Sequence, residues 1–463
     1  DKQGTPTFTL NAGELVAEGV SNVYGIWGLG TVNINGGEIN ATATSTTCYG
    51  IYLKALASTT ASSCIYGTLN MTGGTINSNC TYDANNARYA YGIFFDCSTA
   101  TMATATDGSH ANKAAATGTI DNATINVSTL GRYAYGVRAY GSYQSKTDNY
   151  DVIRIRNTEI NTTAKYQNSY GVYADVSINS TSGGCSFGNI ELTDCNITSQ
   201  TTTYSTAYCI YANATSSTIF KDKQPNYYGE YAVAAKVTIN GGTYKAIAAT
   251  TSGFAVCSAT RARSTYNSET SVYADRTLGG NAVAYPELII HDGVFEGYAN
   301  GVNSDRHARA VSSGGNTTID GGTFKAISNG RYARCIYGVA GNLNITNATI
   351  TAISNGRYAE TNMTSEATGV FADATIQTPT GFTDYCNFTI NNCDISSKTV
   401  RGNTAYGVFL NCTSRPFTPL YLRLDSINNG WTHKEDGSGT YDMYKYIYPS
   451  GDRSVAAKAT IQG

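Results

Sequence analysis

The chain has 463 residues and a formal net charge of −2, with charged residues at only 14%. That balance, without a run of Lys or Arg, leaves nothing to hold a nucleic acid backbone electrostatically, and no apolar stretch reaches the roughly 18 residues of a membrane span. With 48 Gly, 36 Tyr and only 7 Pro, the composition suits strands and tight turns rather than helices.

From the N-terminus onward one phrase recurs: apolar, any, apolar, a three-residue turn, any, large apolar. It reads FTLNAGEL at 8–15, VNINGGEI at 32–39, LNMTGGTI at 69–76, GTIDNATI at 118–125, IRIRNTEI at 153–160 and IELTDCNI at 190–197. It continues as VTINGGTY at 237–244, LIIHDGVF at 288–295, TTIDGGTF at 317–324, LNITNATI at 343–350 and FTINNCDI at 388–395. The residue before the turn is apolar in every copy, from Leu10 to Ile390, and so is the one after it, from Leu15 to Ile395. Both are predicted to be inward-facing strand positions. The second turn residue is Gly, Asn or Asp in all copies but one, where it is Ala12. Those types tolerate positive φ, so a left-handed residue is predicted at that position of each corner. The third turn residue is always small, as stacked corners require.

A second phrase follows each first one. It reads VYGIW at 23–27, CYGIY at 48–52, AYGIF at 90–94, AYGVR at 134–138, SYGVY at 169–173 and AYCIY at 207–211. Later copies are GFAVC at 253–257, ANGVN at 299–303, ARCIY at 333–337, ATGVF at 367–371 and AYGVF at 405–409. Its Ile/Val position predicts one buried ladder of Ile26, Ile51, Ile93, Val137, Val172, Ile210, Val256, Val302, Ile336, Val370 and Val408. The residue after it points outward by alternation and is aromatic in eight copies: Trp27, Tyr52, Phe94, Tyr173, Tyr211, Tyr337, Phe371 and Phe409. The Gly/Ala/Cys position two residues earlier is expected on the same outward face, as a smooth groove beside the rings. So long an apolar strip invites a cover. The chain's own inserts at 97–117 or 258–285, a partner subunit and a glycan are the three alternatives.

The octapeptide AISNGRYA occurs at 326–333 and again at 352–359, which reads as one strand and corner in consecutive repeats. Repetition of this kind marks a stacked architecture. The expected fold is all-β: a single right-handed parallel β-helix of about eleven to twelve coils with long loop inserts. Coils occupy 1–412 and a loop insert 413–453. An incomplete terminal coil at 454–463 follows, where SVAAKATIQG echoes YAVAAKVTINGG of 231–242 and brings Ile461 to the pre-turn position. An uncapped first coil and a partial last one together predict end-to-end self-association into a filament.

The GG-T-[IYF] turn together with YGI and YGV resembles secreted bacterial right-handed β-helix proteins of the adhesin and autotransporter-passenger type. That resemblance implies an extracellular, non-enzymatic role in adhesion, surface coating or fibre formation, with a glycan or a cell surface as partner. The same fold class also holds polysaccharide lyases and hydrolases, so a carbohydrate-active β-helix, enzymatic or glycan-binding, is the alternative.

No catalytic residue is assigned. The best acid–base cluster is His291, Asp292, Asp305, Arg306 and His307, with Asp320 one coil on from His291 and in the same turn column. A His/Asp pair can move protons, but no second carboxylate pair and no metal-spaced His/Cys set accompanies it, so neither a metal nor a cofactor is expected. Of the 12 Cys, Cys195, Cys393, Cys209 and Cys335 fit small packing positions. Cys48 with Cys64, Cys80 with Cys97, and Cys386 with Cys412 are candidate bridges across loops. Asn-x-Ser/Thr sequons are frequent, yet Asn40, Asn77, Asn126 and Asn161 share one repeat position, so the repeat itself accounts for part of that frequency.

Overall fold

The computed structural model describes residues 6–54, 67–85, 88–98, 116–143, 152–178, 189–216, 233–262, 285–302, 306–338, 341–356, 365–376, 386–400, 404–414 and 457–462. Among them every regular element is a β-strand, and no helix is long and apolar enough to cross a membrane. The strands form a 21-stranded and an 11-stranded parallel sheet. Each repeat contributes a pre-turn segment, a post-turn segment and a third strand, and each of these pairs with its counterpart in the next repeat. The result is three ladders. The pre-turn and post-turn ladders share one sheet because the long strands Val233–Ala248 and Tyr285–Ala299 run through the corner.

The phrases of the sequence stack residue on residue. The pre-turn column pairs Leu10, Ile34, Met71, Ile120, Ile155, Leu192, Ile239, Ile290, Ile319, Ile345 and Ile390 in succession. Ile461, on the strand Ala457–Gln462, continues it. The post-turn column runs from Leu15 to Ile395 in the same way. In the doubled octapeptide, Ala326, Ile327 and Ser328 pair with Ala352, Ile353 and Ser354. Asn355 Nδ2 donates to Asn329 Oδ1 at 2.8 Å, and the second copy beyond Gly356 lies outside the described residues.

These columns meet the Ile/Val column of the third ladder in one apolar core. Burying each such side chain contributes about 1.5–3 kcal/mol. At mid-stack Tyr244, Phe295 and Phe324 replace isoleucine and stack at 4.9 Å within about 6° of parallel. That spacing is the strand repeat itself.

Four expectations need correction. First, corners come in two forms. Where the third turn residue is Gly, that glycine takes positive φ: Gly13, Gly37, Gly74, Gly242, Gly293 and Gly322. Where it is Ala, Thr or Cys the second residue becomes left-handed instead, as at Asn122, Asn157, Asp194, Asn347 and Asn392, and in the Asn240–Gly242 corner both glycines take positive φ. The reason is steric. Ala123, Thr158, Cys195 and Ala348 turn their side chains into the interior, and a residue with a Cβ resists the left-handed region that Asn and Asp enter most readily.

Second, Val302 is not in the Ile/Val ladder. The third-ladder strand of that repeat is His307–Ser313, and Val311 pairs with Val256 and Ile336. Val302 is 37% exposed. ANGVN carries the small-then-Val pattern, but HARAVSS carries it too, and only the latter continues the ladder.

Third, the Gly/Ala/Cys position faces inward. Pairing skips it, so that Tyr135 and Val137 are matched to Tyr170 and Val172 while Gly136 is not. A Cβ at Gly136 would strike Ile160 Cγ2 of the post-turn column and the Gly171 carbonyl. Cys209, Ala255, Ala310 and Cys335 at this position are fully buried. The strand breaks its alternation there, and the residue that shares the aromatic face lies three positions before it rather than two.

Fourth, Cys48 and Cys80 are not bridged: both carry free, buried thiols. Their positions in register with Ala90 and Ala43 are inward-facing, so the side chains point away from the loops. The partner Cys64, and the side chains of Cys97, Cys386 and Cys412, lie outside what the structure describes.

Candidate functional site

The break at the small position gives the third ladder an outward face with two aromatic columns. One is the second residue of each YG phrase. Tyr24, Tyr49, Tyr91, Tyr135, Tyr170 and Tyr208 stack face to face with centroids 4.8, 4.8, 4.8, 5.1 and 5.1 Å apart and planes within 6°. The other is the residue after Ile/Val. Tyr52 meets Tyr49 edge-on at 5.3 Å and Phe94 edge-on at 5.3 Å, while Tyr173 stacks on Tyr170 at 4.8 Å. Both geometries suit the ring quadrupole and add about 0.5–1.5 kcal/mol per pair.

Of the eight residues predicted for this face, Phe94, Tyr173, Tyr211, Tyr337 and Phe371 are buried, and Tyr52 and Phe409 are half-buried. Trp27 is 53% exposed. Much of this burial is mutual, ring against ring. The tyrosine column was missed as a site, although Tyr at the second position of the phrase recurs from Tyr24 to Tyr406. Tyr52 Oη donates to Asp96 Oδ2 at 2.5 Å. Burial, followed by this carboxylate, drives the Tyr52 phenol well above the ordinary tyrosine range.

Three arginines interrupt the aromatic columns, and sequence reasoning assigned none of them a place there. Arg138 sits among the rings of Tyr91, Phe94, Tyr135, Tyr140 and Tyr173, 5.1 to 5.9 Å from their centroids, and its Nη2 is 2.5 Å from Asp175 Oδ2. Arg334 lies 3.9 Å from the Phe371 centroid and makes a two-pronged pair with Glu366, at 2.8 and 3.2 Å. Arg309 lies 3.7 Å from the Tyr337 centroid and 5.0 Å from that of Phe254. No family model, curated protein or solved structure matches the chain.

The acid–base cluster divides. His291 Nδ1 and Asp320 Oδ2 do meet, at 2.9 Å, on neighbouring corners where both side chains are half exposed. His307 belongs to the third ladder instead, stacked on Tyr332 at 4.8 Å. Burial, then Arg309, Arg334, Arg306 and Arg331, holds its pKa down to about 2, so it is a neutral imidazole near pH 7 and a poor acid. Asp305 lies outside the described residues. Among the described residues no group of three or more His, Cys, Asp or Glu is placed to hold a metal ion.

The 21-stranded sheet carries a polar ladder on its outer side, along the post-turn strands. Asn77 Nδ2 donates to Asn40 Oδ1 at 2.8 Å, Asn126 to Asn77 at 2.9 Å, and Asn161 to Asn126 at 3.1 Å. At the sequon positions of this column, Asn40, Asn126 and Asn161, the amide that a glycan would occupy is already a donor to the repeat before it, Asn40 to Glu14.

Proposed function

We propose that the chain is a right-handed parallel β-helix acting outside the cell as a non-enzymatic structural or adhesive surface protein. The observation that carries this reading is the unbroken register of the pre-turn column from Leu10 to Ile461. Each repeat stacks on the next as one coil, and a stack of about twelve strands spaced about 4.8 Å apart is a stiff body about 50 Å long. Aromatic and asparagine columns repeat along its length rather than converging on one point, which suits a surface that is read as a whole. Thiols that are buried and weakly acidic, with Cys195 raised to about 11 and Cys335 to about 12 by burial, resist oxidation and are compatible with an extracellular setting. End-to-end self-association belongs to the same proposal, since the outermost strand of any parallel ladder offers unpaired N–H and C=O groups.

A glycan-binding module is the second reading, and exposed Trp27, in register with Tyr52 of the next repeat, is the observation that favours it. The deciding experiment images the purified chain by negative stain, follows light scattering against concentration and probes a glycan array. Elongated particles that lengthen with concentration are expected; compact particles would overturn the solenoid. Cleavage of a polysaccharide that is lost in His291→Ala would overturn the non-enzymatic reading.

A further inference from the structure

The three arginines on the aromatic face form an internal comparison. Each guanidinium has rings against its faces, and the fork of N–H groups at its edge lies in its own plane. Arg138 and Arg334 meet Asp175 and Glu366 at that edge. Arg309 meets no carboxylate among the described residues. Its Nη1 donates to Ser312 Oγ at 3.0 Å, and its Nε is buried without a partner. Arg138 also leaves its Nε unmet, but its charge is balanced.

Register explains the difference. Glu366 reaches Arg334 from the following strand, where it pairs with Tyr332. Tyr332 in turn pairs with His307, so the place that Glu366 holds beneath Arg334 is held beneath Arg309 by an uncharged tyrosine. His307, two residues before Arg309 on the same strand face, has a buried Nδ1 without a partner.

An arginine cannot discharge itself by losing a proton, and a charge withdrawn from water with no carboxylate to balance it is costly. We propose that Arg309, with His307 beside it, binds an oxyanion: a carboxylate or sulfate group that meets the open part of the Arg309 fork and balances its charge as Glu366 does for Arg334. This inference does not rest on the adhesive reading. The crowding of arginines that keeps His307 neutral also favours a negative guest, and in its Nδ1–H tautomer His307 adds a donor.

The test titrates the purified chain at constant ionic strength with sodium sulfate, sodium glucuronate and a polyuronate, followed by calorimetry. Saturable binding is expected for the wild type and for Arg154→Gln, a surface arginine paired with Glu191 elsewhere. A loss of at least about tenfold, as for a charge-assisted pair, is expected in Arg309→Gln. Tyr332→Glu, which installs the missing carboxylate, should close the site without unfolding the chain. Binding of the small anions alone identifies a free ion as guest, whereas tighter binding of the polymer identifies a group on a chain. Absence of saturable binding, or undiminished binding in Arg309→Gln, overturns the proposal. Should that variant fail to fold, the Arg309 Nε–H resonance of the wild type decides: it must shift on sulfate addition, and an unmoved resonance overturns the site equally.

Discussion

At the scale of single residues, the corners show how one backbone demand is met by two sequences. Asn122 at φ 50° has Ala123 after it, whereas in the Asn35–Gly37 corner Gly37 takes φ 87° and Gly36 before it stays out of the left-handed region. Asn122→Ala should therefore cost about 1–2 kcal/mol, the left-handed penalty, while Asn122→Gly should be nearly neutral; urea denaturation of both measures the difference. His307 makes a prediction of opposite kind. Its folded pKa is depressed by burial and by Arg309, Arg334, Arg306 and Arg331, with Glu366 facing the cluster from Arg334. Between the folded value and an unfolded value near 6.5, the unfolded chain binds the extra proton. Stability from this group is thus complete above about pH 6.5 and falls as pH drops, by up to about 1.4 kcal/mol per unit. Thermal melts at pH 7.5 and 5 should show a larger loss for the wild type than for His307→Phe. Equal losses would show that His307 does not titrate as described. The thiols offer a third check: Cys195, Cys209 and Cys335 should escape alkylation until the chain is unfolded, as mass spectrometry would report.

At the scale of the strand, the small position of the third ladder is coupled to the post-turn column one repeat on. Gly25, Gly50, Gly92, Gly136, Gly171 and Gly369 each face an isoleucine Cγ2 there. Where the post-turn residue is Tyr244, Phe295 or Phe324, the small position in the repeat before it is Cys209, Ala255 or Ala310. A β-branched methyl fills the volume a Cβ would need; an aromatic residue, unbranched at Cβ, leaves room. Cys335 before Ile350 is the exception, and nothing in the structure explains it. Gly136→Ala should cost about 1–3 kcal/mol by overpacking, and a double-mutant cycle with Ile160→Phe should show favourable coupling. Strict additivity would refute the link. Val172, fully buried in the same strand, is the test of the core: Val172→Asp should cost about 3–5 kcal/mol as an unpaired buried charge, and an unchanged melting temperature would remove it from the core.

At the scale of the whole molecule, stacking turns each recurring residue type into a column, and this is why so much could be read in advance. Apolar residues flanking a small turn at Leu10 and Leu15, and again at Ile390 and Ile395, specify parallel in-register ladders because every copy buries the same faces. A slip of one residue would expose them all. The aromatic character of Tyr52, Tyr173 and Tyr337 was legible for the same reason. Three things were not. Two segments, ANGVN and HARAVSS, satisfied one short pattern, and only pairing with Val256 and Ile336 selected Val311. Strict alternation placed the Gly column outside, whereas the strand breaks its alternation there and the column packs inward against the post-turn isoleucines. Arg138, Arg309 and Arg334 were assigned no place, because no local pattern tells which charges stand among rings. Sequence by itself determined the strands, their repeat and the residues that share each column, because those follow from local periodicity. Tertiary structure alone decided which residues face one another between ladders and which charges find a partner, because these depend on approach between segments that no local pattern encodes.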